Sequence, residues 1–295
     1  PTRDAATASP TGEGLTVVVN RSAGSALSRD PVAALREELP DARIVEVDDG
    51  DELAAALKEA APGAAMGVAG GDGSVNTAAG IAEAAGKPLL VVPAGTLNHL
   101  ARDLGLASVG DAIAAVRAGS AAAVDLATID GRPFLNTASL GSYVELVDAR
   151  ERLEKVIGKW PAVVVALIRV LRRSRPCQIE IDGQSMRVWM IFIGNCRYHP
   201  NGFAPSWRER LDDGQLDVRI VDGDAPFSRL RLVTAVLTGR LGRSRVYSQR
   251  LAQEVQVRCL DGPLRLARDG ETFDGSREFT VAKDGRSLPL YVATD

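Results

Sequence analysis

The stretch that most constrains this chain is Gly70-Gly71-Asp72-Gly73-Ser74, which follows the run Met66-Gly67-Val68-Ala69. Glycines permit positive φ and let backbone N–H groups approach a ligand closely. Ser74 is expected to cap the helix that begins near Val75-Asn76-Thr77. A strand, a tight glycine turn and a helix N-terminus together bind phosphate through orphan N–H groups and the helix dipole. Asp72 is unexpected in a pure anion cradle and suggests that a divalent cation accompanies the phosphates. The five residues alone also fit an Asp-Gly surface turn, because short glycine motifs are weak signals.

The surrounding pattern gives the turn a context. Leu15–Asn20, Ile44–Val47, Ala64–Ala69 and Leu89–Val92 are short apolar runs of the kind buried in parallel sheets. Between them lie helical stretches, one starting at Asp30-Pro31 with Asp as cap and Pro at the first position, another over 51–60. Strand and helix alternate, which predicts a doubly wound parallel sheet with ligands at the carboxyl ends of its strands. Asn20, Asp48 and Asp49, Gly70–Ser74 and Gly95–Asn98 all fall at such ends.

After a helix over 111–118 the rhythm changes. Val124–Ile129 reads as a strand, Asp130-Gly131 as a hairpin turn and Phe134–Leu140 as its partner. Strand candidates follow at 178–182, 187–194, 216–221, 254–260, 264–267, 278–282 and 288–293, separated by Asp-Gly turns. This predicts an antiparallel β-sandwich or barrel. The expected organisation is a disordered leader over 1–13, an α/β domain over 14–127 and an all-β domain over 128–295. Two helical insertions interrupt the strands, near 144–173 and 227–243. Each carries apolar residues beside arginines, and two readings stand for each: a core helix with a solvated basic end, or a segment lying at an anionic membrane surface.

Several chemistries find no support. With 35 basic and 38 acidic residues and a net charge of −3, the chain has no nucleic-acid signature. Three scattered cysteines, without CxxC spacing, argue against a disulfide framework or zinc site and fit a reducing cytosol. There is no GxxxxGK[ST] loop, no HExxH and no GxSxG elbow. What remains is a set of acids at loop ends: Asp72, Asp125, Asp213, Asp269 and Glu271. Phosphoryl transfer needs phosphate positioning, a metal and a base for the incoming hydroxyl, and acids with glycine turns can supply all three.

The motifs GGDGS with Asn76, PAGTLNHLARDLG (93–105), VDL (124–126), FLNTASLG (134–141), DDGQLDV (212–218) and DGE (269–271) together resemble the diacylglycerol kinase catalytic-domain family, which includes bacterial lipid kinases and sphingosine and ceramide kinases. The resemblance runs from about Val17 to the C-terminus. It implies a nucleotide-binding domain related to that of NAD kinases, a lipid-binding β-sandwich, and ATP and lipid meeting in a cleft between them, with the last residues returning to the first domain. It implies Mg²⁺-dependent transfer of the ATP γ-phosphate to a hydroxyl of diacylglycerol or a related lipid, by a cytoplasmic enzyme acting at a membrane surface.

Carried over by position, the resemblance assigns ATP contacts to Asn20, Arg21, Gly24, Gly70, Gly71, Asp72, Gly73, Ser74, Asn76, Gly95, Thr96, Asn98 and His99. Asp72 and Asp125 match acids that order catalytic magnesium through water. Glu271 matches the general base, with Asp269 beside it. Asp213, with the carbonyls of Arg210 and Gln215, matches a structural magnesium site. The chain also departs from the family pattern. His99 replaces an acid after Asn98, Thr77 stands where an acid is usual, and Asn20-Arg21-Ser22-Ala23-Gly24 lacks the usual proline. Two alternatives therefore stand beside the lipid kinase: a kinase of a soluble hydroxyl compound, and a nucleotide- or lipid-binding regulator with little turnover. Oligomeric state is left open, a homodimer included.

Overall fold

The computed structural model describes residues 8–23, 30–95, 98–141, 175–202 and 206–294. Gly24, Thr96, most of the expected leader and the whole first helical insertion lie outside the described residues. The chain divides into two compact units, one of Pro1–Leu126 with Gly285–Asp295 and one of Ala127–Asp284.

The first unit follows the alternation of its sequence. Its elements are β1 (Leu15–Asn20), α1 (Pro31–Glu38), β2 (Arg43–Val47), α2 (Gly50–Ala60), β3 (Ala65–Gly70), α3 (Asp72–Ala85), β4 (Leu89–Pro93), α4 (His99–Asp103), α5 (Val109–Arg117) and β5 (Ala121–Asp125). Asp30 caps α1, accepting from the Val32 N–H at 3.0 Å, and Pro31 opens the helix. Strands β1 to β4 pair in parallel in the order β2-β1-β3-β4. β3 and β4 are buried along their whole length, as central parallel strands must be. The C-terminal strand Ser287–Tyr291 inserts between β4 and β5, antiparallel to β5.

Right-handed crossovers from β1 out to β2, then back past β1 to β3, place α1 on one face and α2 and α3 on the other. Consistent with this, α2 packs on α3 and α1 on α5. The direction of winding reverses between β1 and β3, and that reversal is where an open α/β sheet parts its loops to admit a ligand.

The second unit comprises β6 (Ala127–Ile129), β7 (Arg132–Phe134), β8 (Thr137–Gly141), β9 (Cys177–Ile181), β10 (Gln184–Asn195), the short pair β11 (Tyr198–His199) and β12 (Trp207–Arg208), β13 (Leu216–Asp222), α6 (Ser228–Leu237), β14 (Tyr247–Ala252), β15 (Glu254–Cys259), β16 (Arg265–Arg268), β17 (Glu271–Asp274) and β18 (Glu278–Ala282). Eleven of these strands form one antiparallel sheet that branches at β10. The first half of β10 pairs with β9, and its second half lies between β8 and β13. A register shift between Val188 and Met190 marks the change, and such bulges bend a strand. Ile179, Ile191, Ile193, Val218, Val255, Val257, Leu266 and Val281 belong to one enclosed core.

Two expectations are corrected. Val124–Ile129 is not one strand: β5 ends at Asp125, the Leu126 N–H donates to the Arg286 carbonyl, and β6 joins the other sheet. The partner of β6 across the Asp130-Gly131 turn is β7, whereas β8 pairs with β10 and β16. β14 and β17 were not legible in the sequence, because neither buries a residue fully or shows an apolar alternation.

Candidate nucleotide and phosphoryl-transfer site

At the winding reversal, Asn20 closes β1 and Gly70 closes β3. The Asn20 side chain bridges them: its Nδ2 donates to Ser74 Oγ at 3.1 Å, while its Oδ1 accepts from the Ser22 N–H at 3.0 Å and the Ser22 hydroxyl at 2.7 Å. Ser74 therefore does not cap α3. It sits in the first turn of a helix whose cap is Gly71, with an extended backbone (φ −85°, ψ −177°) and no side-chain hydrogen bond to the helix amides. The first-turn N–H groups of this fourteen-residue helix receive no acceptor from their cap, which is the arrangement that accepts an anion.

The glycines are also not there for positive φ. None of Gly70, Gly71, Gly73 and Gly95 adopts it. A Cβ on Gly70 would lie 2.5 Å from Ser74 Cβ, and one on Gly95 would lie 2.5 Å from Gly71 Cα, so these two allow close packing within the protein. Gly73 is different: a Cβ there would meet nothing within 4 Å. The protein itself does not require glycine at this exposed position, and the vacant volume lies beside the uncapped amides.

The Gly95 turn is held by Asn98, whose Oδ1 accepts from the Gly95 N–H at 2.9 Å and whose Nδ2 donates to the Gly95 carbonyl at 2.7 Å. Asn98 adopts a left-handed conformation (φ 49°), common for Asn. The next amide, His99 N–H, donates to Asp72 Oδ1 at 3.1 Å, tying the two loops together. Where the family pattern has an acid, this chain thus has a histidine whose backbone is bound to the neighbouring acid. Among the described residues no partner holds the second oxygen of Asp72 or the His99 ring. Asn76 is half-buried in α3, and Asp125 is half-buried at the end of β5, opposite Ser287. Arg21 forms an exposed ion pair with Glu46 at 3.1 Å, and Asp49 caps α2 through the Asp51 and Glu52 amides.

In the second unit, Asp269-Gly270 makes the two-residue turn between β16 and β17, with φ 48° and 87°, as a type I′ hairpin requires. The Asp269 carboxyl accepts from the N–H groups of Leu135 (2.9 Å), Asn136 (2.7 Å) and Thr137 (2.9 Å). Burial pushes its pKa above the ordinary carboxylate value, against the pull of those three donors and the Arg208 guanidinium. Glu271, two residues on, opens β17 with an exposed side chain that no hydrogen bond or ion pair holds among the described residues. Arg208 has no sequence signal, yet it is buried and donates to the carbonyls of Leu135 (2.7 Å) and Asn195 (3.1 Å) and to Asn136 Oδ1 (3.0 Å). Only tertiary structure reveals that it fixes the same loop as Asp269.

Asp213 accepts from the Arg197 N–H through Oδ2 and from the Gln215 N–H through Oδ1, both at 2.9 Å. The Gln215 carbonyl accepts from the Cys196 N–H at 2.9 Å. The Arg210 side chain pairs with Asp212 at 3.1 Å. Each Asp213 oxygen retains lone-pair capacity, so oxygen coordination of a hard cation is chemically compatible with these hydrogen bonds.

The chain thus encodes an α/β unit, with a glycine cradle at its winding reversal, and an antiparallel sheet unit. Residues 14–129 match the diacylglycerol kinase catalytic domain, and residues 142–283 match the YegS C-terminal NAD kinase β-sandwich-like domain. A Pseudomonas aeruginosa protein named "Probable lipid kinase YegS-like" is 30% identical over 282 residues, 91% of each chain. A Mycobacterium tuberculosis protein named "Diacylglycerol kinase" is 28% identical over 237 residues, covering 73% of this chain and 75% of its own. The crystal structure of a diacylglycerol kinase from Bacillus anthracis shares the fold, with a TM-score of 0.66 at 19% identity over 95% of this chain and 97% of that one. The chain belongs to the diacylglycerol kinase catalytic-domain family and is an enzyme of the lipid kinase class. Among the described residues no helix is long and apolar enough to cross a membrane.

Proposed function

We propose that this enzyme transfers the γ-phosphate of ATP to the hydroxyl of diacylglycerol or a closely related lipid, with Mg²⁺. The observation that carries the nucleotide part is the uncapped start of α3 beside the vacant volume at Gly73. ATP phosphates would take the N–H groups of α3's first turn, with Asn20, Ser22 and the Gly95 turn around them. Asn98 holds that turn in shape, and the Asp72–His99 bond fixes it to α3. Asp72 and Asp125 would hold magnesium through water, and magnesium when bound neutralises phosphate charge. Asp213 with the Arg210 and Gln215 carbonyls would hold a second, structural magnesium. Gly24 and Thr96 are proposed phosphate contacts by position in the motif alone.

Glu271 would accept the proton of the lipid hydroxyl as its oxygen attacks the γ-phosphorus. A solvent-reachable carboxylate that is unpaired among the described residues suits a base that must meet its proton directly. Asp269 would position the loop of residues 135–137 rather than touch the reacting atoms. Phosphoryl transfer from γ-labelled ATP to mixed micelles of diacylglycerol, monoacylglycerol, phosphatidylglycerol, sphingosine and ceramide tests the proposal. Glu271→Gln should lower kcat by about 10²- to 10⁴-fold with little change in ATP binding. Asp72→Asn should impair magnesium-dependent turnover. If no lipid is phosphorylated while ATP still binds, the acceptor assignment is wrong.

A further inference from the structure

The helix α6 buries one face and leaves the opposite face apolar. Leu232, Ala235 and Val236 pack with Trp189, Val221, Leu241 and Val246 in a small core. On the other side Phe227, Leu230 and Leu237 are 77%, 65% and 59% exposed. Within the helix, Leu230, Thr234 and Leu237 fall at i, i+4 and i+7, a single stripe, and Phe227 precedes the helix as its cap in a left-handed conformation (φ 57°). A helix held by one face has no structural need for three large apolar side chains on the other, and such a stripe marks a contact surface.

The charge around the stripe indicates the partner. Residues 225–245 contain five arginines (229, 231, 240, 243 and 245) and no acid, although the whole chain is net negative. Arg229 and Arg231 flank the stripe on its two sides by helical angle, and Arg229 lies over the Trp189 ring at 5.1 Å. All five arginines are exposed. Apolar residues between cations match an anionic bilayer, where the side chains reach the acyl boundary and guanidinium groups meet lipid phosphates.

We infer that α6 is a membrane-docking element that lays Phe227, Leu230 and Leu237 into an anionic lipid surface. This rests on the lipid-kinase reading only in its biological purpose, because binding is measured without turnover. The test is flotation of the full chain with phosphatidylcholine vesicles containing or lacking phosphatidylglycerol. Binding should require the anionic lipid and fall as salt rises. Leu230→Gln with Leu237→Gln should weaken partitioning at least tenfold while leaving the melting temperature nearly unchanged, since both side chains are exposed. Arg231→Gln with Arg240→Gln should weaken it about fivefold per charge.

Phosphorylation of a short-chain diacylglycerol below its micellar concentration should survive the leucine changes, whereas turnover on vesicles should fall with binding. Loss of the lipid-kinase reading would appear instead as absent turnover on both substrates with vesicle binding intact. The inference is overturned if the wild-type chain ignores anionic vesicles or the leucine changes leave binding intact. It is also overturned if those changes instead dissociate a dimer in analytical ultracentrifugation without altering vesicle binding.

Discussion

Gly73→Ala separates ligand-imposed from protein-imposed glycine. At Gly73 the backbone is helical and a Cβ would meet nothing within 4 Å. Replacing glycine by alanine at such a position restricts the unfolded chain and favours the helix, for a gain of about 0.4–1 kcal/mol. The first turn should give the lower end, raising the melting temperature of the free protein by about 1–2 °C. The same methyl would occupy volume next to the amides assigned to ATP phosphates. Loss of one charge-assisted N–H contact is worth about 1.5–3 kcal/mol, or about 10- to 150-fold in affinity. Gly95→Ala is the contrast: its Cβ would lie 2.5 Å from the backbone of Gly71, so it should destabilise the free protein by about 1–3 kcal/mol. Differential scanning fluorimetry without ligand, and calorimetric titration with Mg-ATP, give the two readouts. A Gly73→Ala protein that binds Mg-ATP like wild type would refute the placement of phosphate at α3.

Two further outcomes follow from the second unit. The buried pair Asp217–Arg219 (2.7 Å) is completed by three carbonyls, those of Tyr198, Pro200 and Gly202, and by Gln249; Arg219→Met leaves the Asp217 charge buried and should cost about 3–5 kcal/mol in urea unfolding. Burial pushes the Cys177 and Cys196 thiols from 9.0 to about 11. Their thiolate fraction at pH 8 is then about a hundredfold below that of an ordinary cysteine, so iodoacetamide should modify them rapidly only after unfolding. Because the fold favours the protonated thiol, its contribution to stability is complete below about pH 9 and lost as pH rises through about 11, which chemical denaturation across that range would register.

The first unit was readable because each of its signals is local. Apolar runs, the Asp30-Pro31 start and the glycine turn each act within a few residues, and β1 to β4 form where those signals fall. Ser74 misleads for the same reason. Serine before an apolar run reads as a cap, but the available Asn20 amide is 54 residues away in sequence, and that contact draws Ser74 into the helix. The insertion of Ser287–Tyr291 beside β4, and the burial of Arg208 under the loop at Leu135, are likewise decided by partners distant in the chain. No window of sequence contains both halves of these contacts.

The acids divide on similar grounds, and the division bears on mechanism. A carboxylate at a turn can either hold backbone or remain available, and its residue type is the same in both cases. Asp269 receives three amides and Asp213 two, so both shape loops, and each Asp213 oxygen accepts one of its two bonds. Asp72 gives one oxygen to the His99 amide and keeps the other. Glu271 gives none among the described residues, although it stands two positions from an acid that holds three backbone amides. A proton acceptor that must move between hydroxyl and solvent is poorly served by fixed amide donors, which stabilise one charge state in one orientation. The Asp269 turn instead fixes where β17 begins, so the Glu271 backbone is held while its exposed carboxylate takes no hydrogen bond among the described residues. On the proposed reading, that combination suits Asp269 to positioning and Glu271 to proton transfer, a distinction that the adjacent letters of the DGE motif do not carry.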